Sequence, residues 1–230
     1  MKPALLLLHG ALGASRHFDP IVPVLNEQYT IHRFDFHGHG GTALPAAPLS
    51  IELYTAQLLD YIRARELGPV AVFGYSMGGY VALRAALQAP GAVGRVQTLA
   101  TKFNWSPETA AREARQLDAA FLLEKAPAFA EQLAALHGDE GWKNLLTATA
   151  GLMTALGTHP LLTKENLAGI NIPVRLMVGD RDAMVGIEET LAAFKSLPQA
   201  SMAVLPDTKH PLDKVNNALL LWEIRSFMML

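Results

Sequence analysis

Short apolar runs alternate along most of this chain with segments of helical periodicity. The apolar runs, several of which end in glycine or a polar turn, are residues 4–8, 29–34, 70–73, 93–100, 174–178 and 201–205. The spacing of apolar positions between them predicts helices at about 17–27, 51–67, 77–88 and 188–197, with a final helix starting at Pro211. The apolar runs lack strict alternation and are separated by helices. The pattern therefore predicts an α/β fold, with a mostly parallel sheet and helices on both faces.

Residues 102–169 follow a different pattern. This region is rich in alanine, carries Glu, Lys, Arg and Leu at helical spacing, and contains no strand-like run. Its proline and glycine residues divide it into three or four predicted helices. We therefore expect a core domain formed by residues 1–101 and 170–230, and a helical cap formed by the insertion 102–169 over the strand ends.

Composition narrows the class of protein. The chain has 230 residues, half of them hydrophobic and 17% charged, which suits one globular domain with a sizeable core. A net charge of −2 gives no reason to expect a nucleic acid or a membrane surface as partner. The absence of cysteine excludes disulfides and a thiol nucleophile. The first apolar run, only five residues long, is too short for a signal peptide or a membrane span, so we expect a cytoplasmic protein.

The most specific motif is Gly74-Tyr75-Ser76-Met77-Gly78-Gly79. It fits G-x-S-x-G, and it follows a predicted strand and opens a predicted helix, which is the context that a nucleophilic serine requires. Such a turn projects the serine hydroxyl at the top of the sheet and leaves no room for side chains two positions before and after it. The motif therefore predicts Ser76 as a catalytic nucleophile.

A serine hydroxyl needs a base, and the base needs a group that orients it. His210 follows the last predicted strand and is the candidate base. Two carboxylates, Asp180 and Asp182, follow the preceding strand, and Asp182 is favoured because it lies farther beyond the strand end. Asp180 and Asp207 remain alternatives for the acid.

Together these segments resemble the α/β-hydrolase family over nearly the whole chain except the insertion. His9-Gly10-Ala11 resembles the family's H-G-x motif, and residues 35–40 resemble its D-x-x-G-H-G loop. The resemblance implies an oxyanion hole made by the backbone N–H groups of Ala11 and Met77. It also implies that His9, Asp35, His37 and His39 hold loops. The family's N-terminal antiparallel hairpin has no counterpart here, so we expect six parallel strands and an exposed edge, in a monomer or a homodimer.

The function expected from these residues is a serine hydrolase that cleaves a carboxylic ester or thioester of a short or medium acyl group. No metal or cofactor is expected. Two alternatives stay open: a C–C bond hydrolase or lyase, similar to the menaquinone-pathway synthase, and a non-catalytic small-molecule receptor. Several large side chains could line an apolar substrate cavity or simply pack, namely Tyr75, Met77, Phe103, Trp105, Phe121, Phe129, Trp142, Met153 and Met184.

Overall fold

A computed structural model describes residues 2–228 and contains one six-stranded sheet. All five strand pairings are parallel, and the order across the sheet is β2-β1-β3-β4-β5-β6. The strands are β1 Ala4–Leu8, β2 Thr30–Arg33, β3 Val70–Tyr75, β4 Val93–Leu99, β5 Val174–Gly179 and β6 Ala200–Leu205. The predicted parallel α/β sheet of six strands is confirmed.

Ten helices accompany the sheet within the described residues. They are α1 Val22–Leu25, α2 Ile51–Ala64, α3 Met77–Gln88, α4 Pro107–Ala114, α5 Ala119–Lys125, α6 Pro127–His137, α7 Gly141–Thr158, α8 Lys164–Ala168, α9 Ile187–Ser196 and α10 Asn217–Met228. Within residues 2–228, none of these helices has the length and apolar character needed to cross a membrane.

Strand β1 shows why an unbroken apolar run forms a strand here. Leu6 and Leu8 pack into one large hydrophobic cluster, while Leu5 and Leu7 pack into a second one. Successive side chains of a strand point to opposite faces of the sheet, so these two clusters cover its two faces. A strand covered on both sides needs apolar residues at every position, which is what the sequence supplies.

Two predicted helices differ from the structure. The helix expected at about 17–27 is instead a 3-10 turn at Ser15–Phe18 followed by the short α1. Pro20 lies between the two segments, and proline lacks the N–H that a continuous helix would need there. The final helix does not begin at Pro211, which leads into a 3-10 turn at Leu212–Lys214.

Helix α10 begins only at Asn217, because the preceding residue caps it. The Asn216 side-chain oxygen accepts hydrogen bonds from the N–H groups of Ala218 and Leu219, at 2.9 and 3.1 Å. A side-chain acceptor at this position satisfies N–H groups that have no partner within the helix. The prediction that this helix begins at Pro211 was wrong because the cap at Asn216, five positions further along the chain, was overlooked.

Between β4 and β5 the chain forms five helices, α4 to α8, rather than the three or four predicted. Helix α7 is the longest, and its Leu145, Leu152 and Leu156 belong to the large cluster that covers one face of the sheet. Helices α5 and α6 bury fewer side chains, in a small separate cluster of Leu122, Ala130, Leu133, Trp142 and Leu146. The region is therefore anchored to the sheet mainly through α7.

Candidate active site

Ser76 lies in a sharp turn between β3 and α3. Its φ of +51° and ψ of −117° are a strained conformation for a residue with a side chain. The neighbouring glycines are sterically required. A Cβ at Gly74 would lie 2.4 Å from the backbone nitrogen of Gly79, and one at Gly78 would lie 2.4 Å from the carbonyl oxygen of Leu8. Strand, turn and helix therefore approach so closely that only glycine fits two positions before and two positions after Ser76.

Hydrogen bonds from the neighbouring strand hold this turn in place. The Ser76 N–H donates to the carbonyl oxygen of Leu99 at 2.8 Å, and the Thr101 hydroxyl donates to the carbonyl oxygen of Ser76 at 2.9 Å. Both partners lie at the carboxyl end of β4, where a parallel α/β sheet binds its ligands. These bonds stabilise the strained conformation of Ser76 from two sides.

His210 and Asp182 meet in the loops that follow β6 and β5. The Nδ1 of His210 lies 2.9 Å from Oδ2 of Asp182, whose side chain is fully buried. Burial alone would raise the pKa of Asp182. The hydrogen bond and charge of His210, with the N–H groups of Val185 and Met184 on Oδ1, lower the pKa below its ordinary value. Asp182 is thus an ionised acceptor that orients the imidazole.

The two alternative carboxylates do different things. Asp180 Oδ1 accepts a hydrogen bond from the N–H of Thr208 at 3.2 Å and so ties the loop after β5 to the loop before His210. Asp207 is exposed, with a φ of +48°. Of the three aspartates considered from the sequence, Asp182 is the one that the structure brings into hydrogen-bond contact with His210.

Tyr75 fixes the backbone of the same histidine. Its hydroxyl donates to the carbonyl oxygen of His210 at 2.8 Å, and the two rings lie 5.6 Å apart. Burial, reinforced by the charge of Asp182, raises the pKa of Tyr75, so the hydroxyl stays protonated and remains a donor. Since Tyr75 precedes Ser76, this bond couples the position of His210 to the serine turn.

Three buried histidines connect the loops around the site. His9 Nδ1 lies 2.8 Å from the carbonyl oxygen of Gly10, while its Nε2 accepts from the N–H of Phe36 at 3.1 Å. His39 pairs with the carbonyl oxygen of His37 through Nδ1. In each imidazole, one ring nitrogen accepts a backbone N–H and the other donates to a backbone carbonyl oxygen. Each ring is therefore neutral and has one defined tautomer.

The pKa values agree with neutral rings. Burial lowers the pKa of His9 to about 3, holds that of His39 well below its ordinary value, and lowers that of His137. His9 Nε2 also lies 3.8 Å from Asp35 Oδ1. Because the ring is neutral and its Nε2 already accepts an N–H, this contact is not an ion pair. The Asp35 carboxylate instead accepts the N–H of Ser15 at 2.6 Å.

Two of these histidines hydrogen-bond to the backbone of Leu12. Its N–H donates to His39 Nε2 at 3.2 Å, and its carbonyl oxygen accepts from His137 Nε2 at 3.0 Å. The other ring nitrogen of His137 accepts the N–H of Gly40. The loop that carries Ala11 is therefore fixed by the loop after β2 and by the end of α6. No sequence pattern pointed to His137, which lies 125 positions from Leu12.

A narrow cavity of about 50 Å³ opens at Ser76. Its lining comes from the strand-end loops, from α2 and α3, and from residues 102–169, and comprises Ala11, Ile51, Ser76, Met77, Tyr80, Lys102, Trp105, Thr149, Leu152, Met153 and Leu156. Met77, Trp105 and Met153 were among the side chains considered from the sequence. Phe121, Phe129 and Met184 are exposed instead, and Trp142 packs in the small cluster.

Ala11 and Met77 line the cavity beside Ser76. Met77 is the first residue of α3, so its N–H has no acceptor within the helix and lies at the end where negative charge is favoured.

Thr149, Lys102 and Tyr80 were missed from the sequence, because nothing in a helical or loop pattern tells which face meets the cavity. Within residues 2–228, no group of three or more His, Asp or Glu side chains is arranged to hold a metal ion.

The family model described as the alpha/beta hydrolase family matches residues 5–214. The chain belongs to this family. Among curated relatives, a pimeloyl-[acyl-carrier protein] methyl ester esterase from Chromobacterium violaceum is 30% identical, over 90% of this chain and 87% of the relative. The first curated relatives matched are aligned over much less, with only 28% of their length covered.

Solved structures of other proteins share the fold of this alpha/beta hydrolase. A putative lipase from Acinetobacter baumannii superposes with a TM-score of 0.83 at 20% identity, covering 98% of this chain and 83% of the other. The enol-lactonase from Burkholderia xenovorans gives a TM-score of 0.79 at 19% identity, covering 99% and 91%. Identities this low show the fold alone, so the chemistry has to be argued from the site.

Proposed function

We propose that this alpha/beta hydrolase is a serine esterase or thioesterase that works through Ser76, His210 and Asp182. The observation that carries the proposal is the 2.9 Å contact between His210 and the buried, ionised Asp182, next to the strained turn that presents Ser76. An oriented base beside a serine at a helix N-terminus is the arrangement that acyl transfer needs.

In the proposed mechanism His210 removes the proton of the Ser76 hydroxyl as its oxygen attacks the ester carbonyl. The backbone N–H groups of Ala11 and Met77 donate to the oxyanion, each contributing about 3–4 kcal/mol to transition-state stabilisation. His210 then protonates the leaving alcohol or thiol. A water molecule, deprotonated by the same imidazole, hydrolyses the acyl-enzyme and restores Ser76.

The cavity supports a short acyl group. Its volume of about 50 Å³ has space for about four water-sized groups. Residues 102–169 contribute Lys102, Trp105, Thr149, Leu152, Met153 and Leu156 to the same cavity as Ser76, which supports their proposed role as a cap. The Chromobacterium violaceum relative is a methyl ester esterase, which is in keeping with ester hydrolysis.

Labelling with a fluorophosphonate tests the proposal directly. The reagent reacts with serines that are activated by a base and an oxyanion hole, so we expect one adduct, on Ser76, located by peptide mass spectrometry. Ser76→Ala should abolish labelling, whereas Ser196→Ala should not, because the Ser196 hydroxyl only donates within α9. Folded protein that stays unlabelled, or carries its adduct elsewhere, would overturn the assignment.

A further inference from the structure

Thr149 is the unexplained polar group of the cavity. It lies in the middle of α7, its side chain is 1% exposed, and it lines the same cavity as Ser76. Within the described part of the chain, no group forms a hydrogen bond with its Oγ1. A buried hydroxyl without a partner is costly, and its occurrence in a ligand cavity points to a partner supplied by the ligand.

Other threonines of α7 show that a threonine hydroxyl can hydrogen-bond to the backbone of this helix. Thr147, Thr154 and Thr158 are exposed, and each donates to the carbonyl oxygen four residues earlier, at 3.3, 2.9 and 3.2 Å. A threonine in a helix can satisfy its hydroxyl in this way without outside help. Thr149, on the cavity side of the same helix, does not use that bond.

The other polar side chains of the cap region and α3 that line the cavity are already bonded to protein groups. Tyr80 accepts the N–H groups of Leu161 and Leu162. Lys102 donates to the carbonyl oxygen of Met184 at 2.7 Å and lies within 4 Å of two carboxylates. The Trp105 indole donates to the carbonyl oxygen of Lys102. Ser76 is reserved for the reaction, and among the other polar side chains of this lining Thr149 is the one that makes no hydrogen bond to the described part of the chain.

We propose that Thr149 determines specificity by donating a hydrogen bond to an oxygen atom in the acyl group of the substrate. The preferred substrates are then esters or thioesters of short acyl groups that carry an ether, hydroxyl or carbonyl oxygen beyond the scissile carbonyl. This inference rests on the proposed esterase function and names its substrate class. A purely hydrocarbon chain would leave the hydroxyl unpaired, whereas an acyl group with an oxygen atom would pair it, which favours binding of the oxygen-bearing substrate.

Matched pairs of p-nitrophenyl esters test this preference. Butanoate is compared with methoxyacetate, and pentanoate with 3-methoxypropanoate, so that one oxygen replaces one methylene at nearly constant size. For each pair the ratio of kcat/KM values, oxygen-bearing over hydrocarbon, is measured in the wild type and in Thr149→Val, which keeps the shape of the side chain. Comparing ratios between proteins cancels the different intrinsic reactivity of the two esters.

We expect the ratio of at least one pair to fall about tenfold in Thr149→Val, the loss of one buried hydrogen bond. Thr149→Ser, which keeps a hydroxyl, should restore most of the preference. Thr154→Val removes an exposed hydroxyl from the same helix and should leave every ratio unchanged. Equal ratios in the wild type and Thr149→Val for both pairs would overturn the inference.

A binding measurement separates this inference from the proposed function. Calorimetry of Ser76→Ala, with and without Thr149→Val, reports affinity for the same esters without turnover. Turnover in the wild type with no preference dependent on Thr149 overturns the inference and leaves the esterase proposal standing. A preference in binding without turnover in the wild type supports the role of Thr149 and contradicts the esterase. Binding of neither member of a pair overturns the inference.

Discussion

The loops at the strand ends and the helices of residues 102–169 meet at one cavity but are held in different ways. Directional hydrogen bonds fix the loops: Asp182 orients the imidazole of His210, Tyr75 holds the carbonyl group of His210, and Thr101 holds that of Ser76. The helices are held mainly by apolar packing of α7 against the sheet. Reacting groups need a defined orientation, which hydrogen bonds supply, whereas a cavity wall needs shape, which packing supplies.

His137 links the two regions by directional hydrogen bonds. It ends α6, yet it hydrogen-bonds to Leu12 and Gly40 in the loops beside the site. A change in the position of α6 would therefore reach the loop that carries Ala11. The following predictions test whether the loops and the helices respond to substitution as differently as their interactions indicate.

The largest effect is expected in the loops, from Asp182→Asn. The amide cannot stabilise a protonated imidazole or fix the same tautomer, so kcat/KM for an ester substrate should fall by about 10⁴-fold. Asp180→Asn is the matched control, because an amide oxygen can still accept the N–H of Thr208, and it should change kcat/KM only slightly. If Asp180→Asn proved the more damaging, Asp180 rather than Asp182 would be the acid.

Substitutions in the helices of residues 102–169 should act on the free energy of unfolding. Leu145 is fully buried and packs in the large cluster, so Leu145→Ala should reduce the free energy of unfolding by about 2–5 kcal/mol. Phe129 on α6 is 42% exposed, and Phe129→Ala should cost less than about 0.5 kcal/mol. Urea unfolding measures both. Equal losses would mean that α6 is anchored as firmly as α7.

The smallest effect is expected from the protonation of a single buried histidine, measured as the pH dependence of the free energy of unfolding. The pKa of His9, His39 and His137 is lower in the folded than in the unfolded chain, so below about pH 6.5 the unfolded chain binds more protons. The free energy of unfolding then keeps its full value above that pH. Below it, the free energy of unfolding falls as pH decreases, by about 1.4 kcal/mol per pH unit for each histidine that stays neutral in the folded chain.

Urea unfolding at pH 7.5, 6.5 and 5.5 measures this slope in a range where few carboxylates titrate. His137→Gln keeps a donor and an acceptor but cannot be protonated, so its stability should depend less on pH. His159→Gln removes an exposed histidine and serves as the control. A slope that His137→Gln leaves unaltered would contradict the neutral state assigned to His137.

Much of the fold could be predicted from local pattern. The strands were predicted within a few residues because each lies in a short, largely apolar run between helical segments, and α3 was predicted with its observed bounds, Met77–Gln88. Ser76, Asp182 and His210 could be proposed because parallel strands bring their carboxyl ends to one edge of the sheet. The start of α10 and the number of helices between β4 and β5 were predicted wrongly, since local caps and prolines decide them.

Residue types and their neighbours along the chain were enough to predict the parallel sheet, the glycine-flanked serine turn and the order of the candidate triad. Three other features became visible only once the elements were packed together: the contact of Asp182 rather than Asp180 with His210, the reach of His137 to Leu12, and the burial of Thr149 in the cavity. Each of these contacts joins residues from separate elements. Their distance and direction follow from how the elements pack, which spacing along the chain does not encode.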